Sequence, residues 1–250
     1  MEGPSLFLAQ KQLKPFTGKK ILEVSGNTKI EKERFQNLEV KEIFAWGKHL
    51  LFQFEDFALK VHFLLYGTFS ATVDGISVTG DYKKARVPRL AFRFENGQIE
   101  MYNCSVKIIE DRKLKKSYDF SVDIMSSKWG REQAHKNVRK NQDEEIADVL
   151  LDQEIFSGVG NIIKNEVLSL TRTHPETKVR DLSPKKLKEI VSLTRSFSIQ
   201  FYKWREKFVL RKNLLIHRRS NCPHCGGKVT HRKTGHRARW SHICPVCQVK

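Results

Sequence analysis

Four cysteines near the end of the chain constrain its fold more than any other feature of the sequence. They form two Cys-x2-Cys pairs, Cys222/Cys225 and Cys244/Cys247, with eighteen residues between the pairs. Two such turns facing each other offer four thiolates in the tetrahedral arrangement that Zn²⁺ prefers. The spacing therefore predicts a zinc ribbon with one structural Zn²⁺, which stabilises a segment too short to bury a core of its own.

The charge of the chain indicates the kind of partner it binds. Residues 211–250 contain ten Lys or Arg and no Asp or Glu, and the whole chain of 250 residues has a formal net charge of +18. Such an excess repels itself in a folded protein and favours a polyanionic partner, with nucleic acid first. A membrane surface is less favoured, because no segment is both strongly basic and continuously amphipathic. No stretch reaches the roughly 18 apolar residues of a membrane span.

The first residues and the fifth cysteine indicate a compartment. Residues 1–9 carry an acid at position 2 and too short an apolar run for a signal peptide. Cys104 stands alone in a strand-like context, a pattern typical of a reducing compartment. For a prokaryotic source we expect the cytoplasm, at the nucleoid.

The first ~110 residues predict a β-rich domain. An amphipathic helix over residues 4–16 precedes short alternating runs that are rich in β-formers. These runs are residues 21–24, 38–44, 50–54, 59–63, 90–94 and 99–102. Residues 95–98 predict a hairpin turn with Asn96-Gly97 at its centre. Strands at this density favour an antiparallel β-sandwich.

The second half of the chain predicts helices. A charged linker, 110–116, is followed by helices at 144–153 and 161–170, with a glycine turn at 157–160 between them. Ser183 caps a third helix that has Pro184 at its first position and runs to about residue 208. The predicted fold class is α+β, with an N-terminal β-sandwich domain at 1–115, a helical domain at 116–215 and the zinc ribbon at 216–250.

Four separated motifs occur in a characteristic order. They are Glu-Gly-Pro at 2–4, Trp-Gly-Lys-His-Leu at 46–50, the run 150–166 with Gly-Val-Gly-Asn at 158–161, and the ribbon ending Cys247-Gln248. Together they resemble the formamidopyrimidine-DNA glycosylase/endonuclease VIII family of base-excision repair enzymes, in its endonuclease VIII-like branch. The resemblance implies a helix–two-turn–helix and a bifunctional glycosylase that removes a damaged base from double-stranded DNA and cuts the strand by elimination. We expect it to act as a monomer.

The resemblance implies three catalytic residues. The α-amino group of Met1 forms an imine at the sugar C1′, while Glu2 supplies a proton to the ring oxygen. Lys48, on a turn between strands, neutralises a phosphate or the charge that develops on the sugar. Outside the resemblance, Glu2 is a frayed terminal residue and Lys48 is a solvated surface lysine.

The resemblance also implies contacts with DNA. Leu64, Leu65 and Tyr66 form an apolar wedge that fills the space left by an everted base, although the sandwich core is an alternative place for one of the leucines. Asn161 and the backbone N–H groups that open its helix bind a phosphate.

An arginine on the ribbon completes the implied set of DNA contacts. Arg239, five residues before Cys244, binds phosphates that flank the lesion, a role that suits a forked guanidinium. Arg237 would share its face if this segment is a strand.

Two departures from the family pattern bear on activity. The usual proline before Glu2 is missing, so either the primary amine of Met1 replaces it or a proline has been lost from the sequence. The segment 102–108 lacks the arginine and phenylalanine of the formamidopyrimidine branch, which favours oxidised pyrimidines as substrates. The alternatives are a family member that binds damaged or abasic DNA without catalysis, and an unrelated zinc-ribbon nucleic-acid binder.

Overall fold

The computed structural model describes residues 1–79, 86–111 and 114–250. These residues form two compact units, one of Met1 and Ser5–Asp119, the other of Glu2–Pro4 and Phe120–Lys250. The predicted linker 110–116 includes residues 112 and 113, which lie outside the described residues. Within the described ranges, none of the helices combines the length and the apolar character needed to cross a bilayer.

The first unit is an antiparallel β domain with a leading helix, as predicted. Helix α1 is followed by seven strands, which form one antiparallel sheet. The elements are α1 Gly3–Leu13, β1 Glu23–Ser25, β2 Glu42–Trp46, β3 His49–Gln53, β4 Ala58–Val73, β5 Ile76–Ser77, β6 Leu90–Phe94 and β7 Gly97–Ile109, with 3-10 turns at Lys14–Phe16, Lys32–Phe35 and Leu114–Ser117. The strand order is β1-β6-β7-β4-β3-β2, and β5 pairs with β4.

A hydrophobic core shared by α1 and the strands stabilises the described part of this unit. Apolar side chains of α1 and of the strands share it, and Phe16, Phe35, Phe52 and Phe92 are fully buried in it. Since alternate residues of a strand face opposite sides, only one face of each alternating run enters this core. The alternation of apolar and polar residues therefore predicted these strands, because the apolar positions are those that face the core.

The two central strands are much longer than their apolar runs. β4 and β7 extend well beyond the predicted 59–63 and 99–102. The turn between β6 and β7 is also displaced by one residue, because Phe94 pairs with Gly97 and leaves Glu95 and Asn96 in the turn. Gly97 has φ 145°, and a Cβ there would overlap the carbonyl oxygen of Thr72 on β4. Glycine at position 97 therefore allows β7 to approach β4 closely.

The second unit is helical and ends in a small hairpin. Its elements are α2 Arg131–Arg139, α3 Ile146–Leu151, α4 Asn161–Leu170, α5 Pro184–Glu206, α6 Leu210–Asn213, β8 Thr230–Thr234 and β9 Arg239–Ile243, with a 3-10 turn at Val179–Asp181. Helix α4 has the predicted bounds, and α5 begins at Pro184 with the Ser183 hydroxyl accepting a hydrogen bond from the Lys186 N–H at 3.2 Å. Helix α2 was missed because it buries only two side chains, Ala134 and Val138.

Helix α4 is the centre of this unit. Every residue from Ile163 to Ser169 is buried, as expected for a helix surrounded by other elements. Helix α5 buries one stripe at helical spacing, which includes Leu187, Ile190, Val191 and Thr194. A helix held on all sides presents its first turn at a fixed position, and that turn is where the candidate site begins.

Candidate active site and metal centre

Glu2 is fixed at the start of α4. Its carboxylate accepts hydrogen bonds from the backbone N–H groups of Gly160 at 3.2 Å, Ile162 at 2.7 Å and Ile163 at 3.3 Å. These N–H groups have no partner inside the helix, and the helix dipole favours a negative charge beside them. The carboxylate thus serves as the N-terminal cap of α4.

This contact corrects two interpretations of the sequence. Glu2 is half-buried and hydrogen-bonded, so the description of it as a frayed terminal residue is wrong. The N–H groups of Gly160, Ile162 and Ile163, at the helix start where a phosphate was expected, donate to Glu2 instead. The N–H of Asn161, the first residue of α4, is not among these three donors.

The glycines of the turn before α4 allow the chain start to approach. The Gly3 N–H donates to the Gly158 carbonyl at 2.8 Å. A Cβ on Gly160 would lie 2.5 Å from the Glu2 Cδ, and a Cβ on Gly3 would lie 2.7 Å from the Gly158 Cα. Both distances are shorter than any tolerable contact, so glycine is needed at both positions to seat Glu2.

Side chains of α4 bind strand β9 at one carbonyl. The Trp240 carbonyl accepts from Asn161 Nδ2 at 2.9 Å, from Lys164 Nζ at 3.2 Å and from Asn165 Nδ2 at 3.3 Å. Asn161, predicted to bind a phosphate, thus has one amide N–H engaged with the ribbon, and a second N–H remains on the same group.

Arg239 is the first residue of β9, and its side chain is exposed. Arg237 lies in the turn between β8 and β9, because Thr234 pairs with Arg239. The Arg237 N–H donates to the Asp148 carboxylate at 3.2 Å, as the His236 N–H does at 2.9 Å. The expectation that the two arginines share a strand face is therefore wrong.

Lys48 lies in the two-residue turn between β2 and β3, as predicted. Trp46 pairs with His49 across this turn, and Gly47 has φ 52°, which glycine adopts without strain. The Trp46 indole N–H donates to the Asp119 carbonyl at 2.9 Å and thereby holds the turn. Lys48 is half-buried, so it is not the solvated surface lysine of the alternative interpretation.

Two histidines lie beside Lys48 in the first unit. The His62 Nδ1 is 3.1 Å from the Lys48 carbonyl, and the rings of His49 and His62 meet edge to face. Burial lowers the pKa of His49 to about 4, and nearby lysines add to that effect. Burial also lowers the pKa of His62, and the positive charges of the Met1 amine and of Lys48 contribute. The structure thus brings Met1, Lys48 and His62 into one electrostatic neighbourhood, with both imidazoles neutral near pH 7.

The predicted wedge is an exposed bulge. The β4/β7 pairing is interrupted between Phe63 and Thr68, and Leu64, Leu65 and Tyr66 are 45%, 70% and 72% exposed. The core therefore takes neither leucine. Asn103 Nδ2 on β7 donates to the Leu65 carbonyl at 2.6 Å, which fixes the bulge from below. Contiguous exposed apolar side chains of this kind mark an interaction surface.

The four cysteines predicted to bind metal come together. Their sulfur atoms all lie within 4.8 Å of one another, with Cys225 and Cys244 at 3.5 Å and Cys222 and Cys247 at 3.9 Å. A tetrahedral ion with bonds of about 2.3 Å places its sulfur ligands about 3.8 Å apart. The arrangement therefore fits one four-coordinate metal ion.

Comparison with known proteins shows which families and proteins this chain is similar to. The family description "Formamidopyrimidine-DNA glycosylase H2TH domain" matches residues 121–197, which include α2, α3, α4 and most of α5. Residues 121–197 thus form the H2TH domain of the formamidopyrimidine-DNA glycosylase/endonuclease VIII family. It is 34% identical over 206 residues to endonuclease 8-like 3 of Mus musculus, which covers 81% of this chain and 33% of that protein. The chain thus spans about a third of the length of the first curated relatives that it matches.

Solved structures of two DNA glycosylases show the same fold. The chain matches a formamidopyrimidine-DNA glycosylase of Lactococcus lactis, described as non-covalently bound to DNA that contains an AP site, with a TM-score of 0.83 and 22% identity over 100% of both chains. It also matches a viral DNA glycosylase with a TM-score of 0.82 and 19% identity, again over 100% of both chains. At this identity the likeness establishes the fold.

Sequence reasoning missed several buried polar residues of the second unit. Asp148 holds the ribbon turn, and Glu166 accepts the N–H groups of Leu215, Ile216 and His217 at 2.7–3.0 Å. Lys164 and Asn165 bind β9. The sequence does contain a signal for these contacts. Residues 164–166 are a Lys-Asn-Glu run inside an otherwise apolar helix, and such polar residues need buried hydrogen-bond partners.

Proposed function

We propose that this protein is a base-excision repair DNA glycosylase with AP lyase activity, acting as a monomer on damaged double-stranded DNA. The observation that carries the proposal is the Glu2 carboxylate, held by three N–H donors at the start of α4 and adjacent in the chain to the Met1 amine. The H2TH domain match at residues 121–197 and the AP-site DNA named for the Lactococcus enzyme add support.

Met1 and Glu2 divide the chemistry between them. The unprotonated amine of Met1 attacks the sugar C1′, and the base leaves with the electron pair of the glycosidic bond and takes up a proton. Opening of the sugar ring moves the C1′–O4′ pair onto O4′, which Glu2 protonates. The resulting C1′ imine accepts the electron pair of the C2′–H bond when the C2′ proton is lost, and the 3′ phosphate then departs with the C3′–O pair as a C2′=C3′ bond forms. A second elimination releases the 5′ phosphate.

The Met1 amine and Lys48 both lie within electrostatic reach of His62. An α-amino group has a pKa near 8 and is mostly protonated at pH 7. Lys48 also places an ammonium where it neutralises a phosphate or the charge that develops on the sugar.

The remaining residues hold DNA. Leu64, Leu65 and Tyr66 enter the base stack and fill the space of the everted nucleotide. Asn161, through its second amide N–H, and Arg239, through its exposed guanidinium, bind phosphates of the damaged strand. The bulge and the ribbon turn are each pinned by hydrogen bonds, so these contacts need little ordering on binding.

The metal is one structural Zn²⁺. Four thiolates with tetrahedral spacing are the usual zinc donor set. Bound zinc would fix the two cysteine turns and, through them, the hairpin that presents Arg239. The preferred substrates are oxidised pyrimidines, since the segment 102–108 has neither the arginine nor the phenylalanine of the formamidopyrimidine branch. For a prokaryotic source the site of action is the cytoplasm, at the nucleoid.

Borohydride trapping tests the proposal. Reduction during reaction with an oligonucleotide that carries one abasic site should fix the protein covalently to the DNA, with the Met1 nitrogen identified by mass spectrometry of the trapped peptide. Acetylation of the terminal amine should abolish trapping. Tight binding to abasic DNA without any trapping would favour the non-catalytic alternative, and a link to a lysine side chain would overturn the assignment of the amine.

A further inference from the structure

Lys164 is an unusual residue on α4. Its side chain is 0% exposed, and its Nζ donates to the Trp240 carbonyl at 3.2 Å and to the Ser241 Oγ at 2.8 Å. Both partners belong to β9, directly after Arg239. Burying an ammonium is costly, and lysine is among the residues least often buried.

The charges around Lys164 come from three elements. Burial lowers its pKa to about 8, and the positive charge of Arg239 acts in the same direction, while the carboxylates of Asp148 and Glu2 oppose it. Burial is the largest cause of the lowered pKa values of His217 and His242, and the positive charge of Lys164 lowers both further. Lys164 is therefore within electrostatic reach of both the acid at the helix start and the arginine on the ribbon.

Lys164 is not needed to satisfy its partners. The Trp240 carbonyl also accepts from Asn161 and Asn165, and the Ser241 hydroxyl is 2.6 Å from the Thr234 hydroxyl. A methionine of similar length would fill the same space without a desolvation cost. The charge of Lys164 thus costs stability without satisfying an otherwise unpaired group.

We propose that Lys164 is a positioning residue for Arg239. By fixing the β9 backbone at Trp240 and Ser241 against the central helix, it sets the place from which the arginine guanidinium reaches a DNA phosphate. This inference rests on the proposed function, because it gives the ribbon arginine a phosphate to bind. The lysine itself touches no DNA, since its side chain has no exposed surface.

The test is a double-mutant cycle on DNA affinity. The variants are Lys164→Met, Arg239→Ala and the pair of them, with Lys188→Met as the matched control, because Lys188 is an exposed lysine of the same unit. The probe is a duplex that carries one tetrahydrofuran abasic analogue, titrated by fluorescence anisotropy at fixed salt. We expect Lys164→Met to raise Kd about tenfold, the size of one lost hydrogen bond from a charged donor, and Lys188→Met to leave Kd within twofold of the wild type.

The double variant decides the mechanism. If Lys164 acts through Arg239, the pair should bind no more than about twofold more weakly than Arg239→Ala alone, because the two residues share one contact. Additive losses, or an unchanged Kd for Lys164→Met, would overturn the proposal. A second variant, Ser241→Ala, removes the partner and keeps the lysine. It should raise Kd in the same direction, and an unchanged Kd would count against the positioning role.

This experiment separates the inference from the proposed chemistry. Binding to the abasic analogue requires no imine, so a failed trapping experiment would leave the cycle interpretable. The melting temperature of Lys164→Met should be no lower than that of the wild type, since the substitution removes a buried charge. A marked drop together with additive losses would identify Lys164 as a purely structural residue.

Discussion

Replacing Glu2 by Gln should weaken both the fold of the second unit and base removal. The carboxylate accepts three N–H groups at 2.7–3.3 Å. The amide of Gln keeps one acceptor for Ile162 but turns an NH₂ toward the N–H groups of Gly160 and Ile163. Losing the charge at the helix start costs about 0.3–1 kcal/mol, and losing two hydrogen bonds costs about 0.5–1.5 kcal/mol each. The total is about 1–4 kcal/mol, which lowers the melting temperature of a chain of this size by about 3–16 °C.

The chemistry should respond separately from the stability. Single-turnover excision of a damaged base should be suppressed in Glu2→Gln, while Kd for an abasic-analogue duplex stays within about twofold, because the acid acts on the sugar. The matched control is Glu166→Gln, which also removes a carboxylate that accepts three backbone N–H groups. It should lower the melting temperature and retain excision. An unchanged melting temperature for Glu2→Gln, or an equal loss of excision in both variants, would refute the reasoning.

Three further predictions concern the metal, a buried charge and the substrate. Elemental analysis should find about one zinc per chain, and Cys225→Ser should lose the metal and DNA binding while the β domain stays folded by circular dichroism; a zinc-free variant with full affinity would contradict this. The pKa of Lys164 is lowered from 10.5 to about 8 in the folded state, so the folded state penalises its charge. The free energy of unfolding should therefore rise by up to about 3 kcal/mol between pH 8 and 10.5 in the wild type relative to Lys164→Met, as denaturant titrations can measure. Thymine glycol or dihydrouracil should be excised with a higher kcat/KM than 8-oxoguanine opposite cytosine on matched duplexes, and the reverse order would contradict the assigned branch.

Local signals in the sequence predicted the elements that depend on neighbouring residues. Helix α4 was placed with its observed bounds because a glycine turn precedes it, and the cysteine cluster was predicted because Cys-x2-Cys spacing fixes two thiols at a time. The exposed wedge at Leu65 was expected from the family resemblance and lies where the β4/β7 pairing is interrupted. Each of these features depends on residues that are close together in the sequence, so a local pattern predicts it.

The missed features depend on contacts between distant residues. Glu2 caps a helix that starts 159 positions later in the sequence. No local pattern around Glu2 or around Asn161 predicts this contact. Lys164 is charged and yet fully buried, so a hydropathy pattern places it on the outside of its helix. The two-residue turn at Glu95-Asn96 was misplaced because Gly97 serves the approach of β4, a constraint that comes from a third strand.

The capping of α4 by Glu2 has a consequence for the order in which the parts of the site are synthesised. Glu2 and its donors are separated by 158 to 161 positions, and a ribosome adds about 5–20 residues per second. The acid is therefore synthesised about 8–30 s before the backbone groups that hold it. A nascent chain that stops before α4 carries the amine and the acid but lacks the donors that fix the acid in place. Under the proposed mechanism, we expect such a fragment to be unable to cut DNA until the second unit has been made.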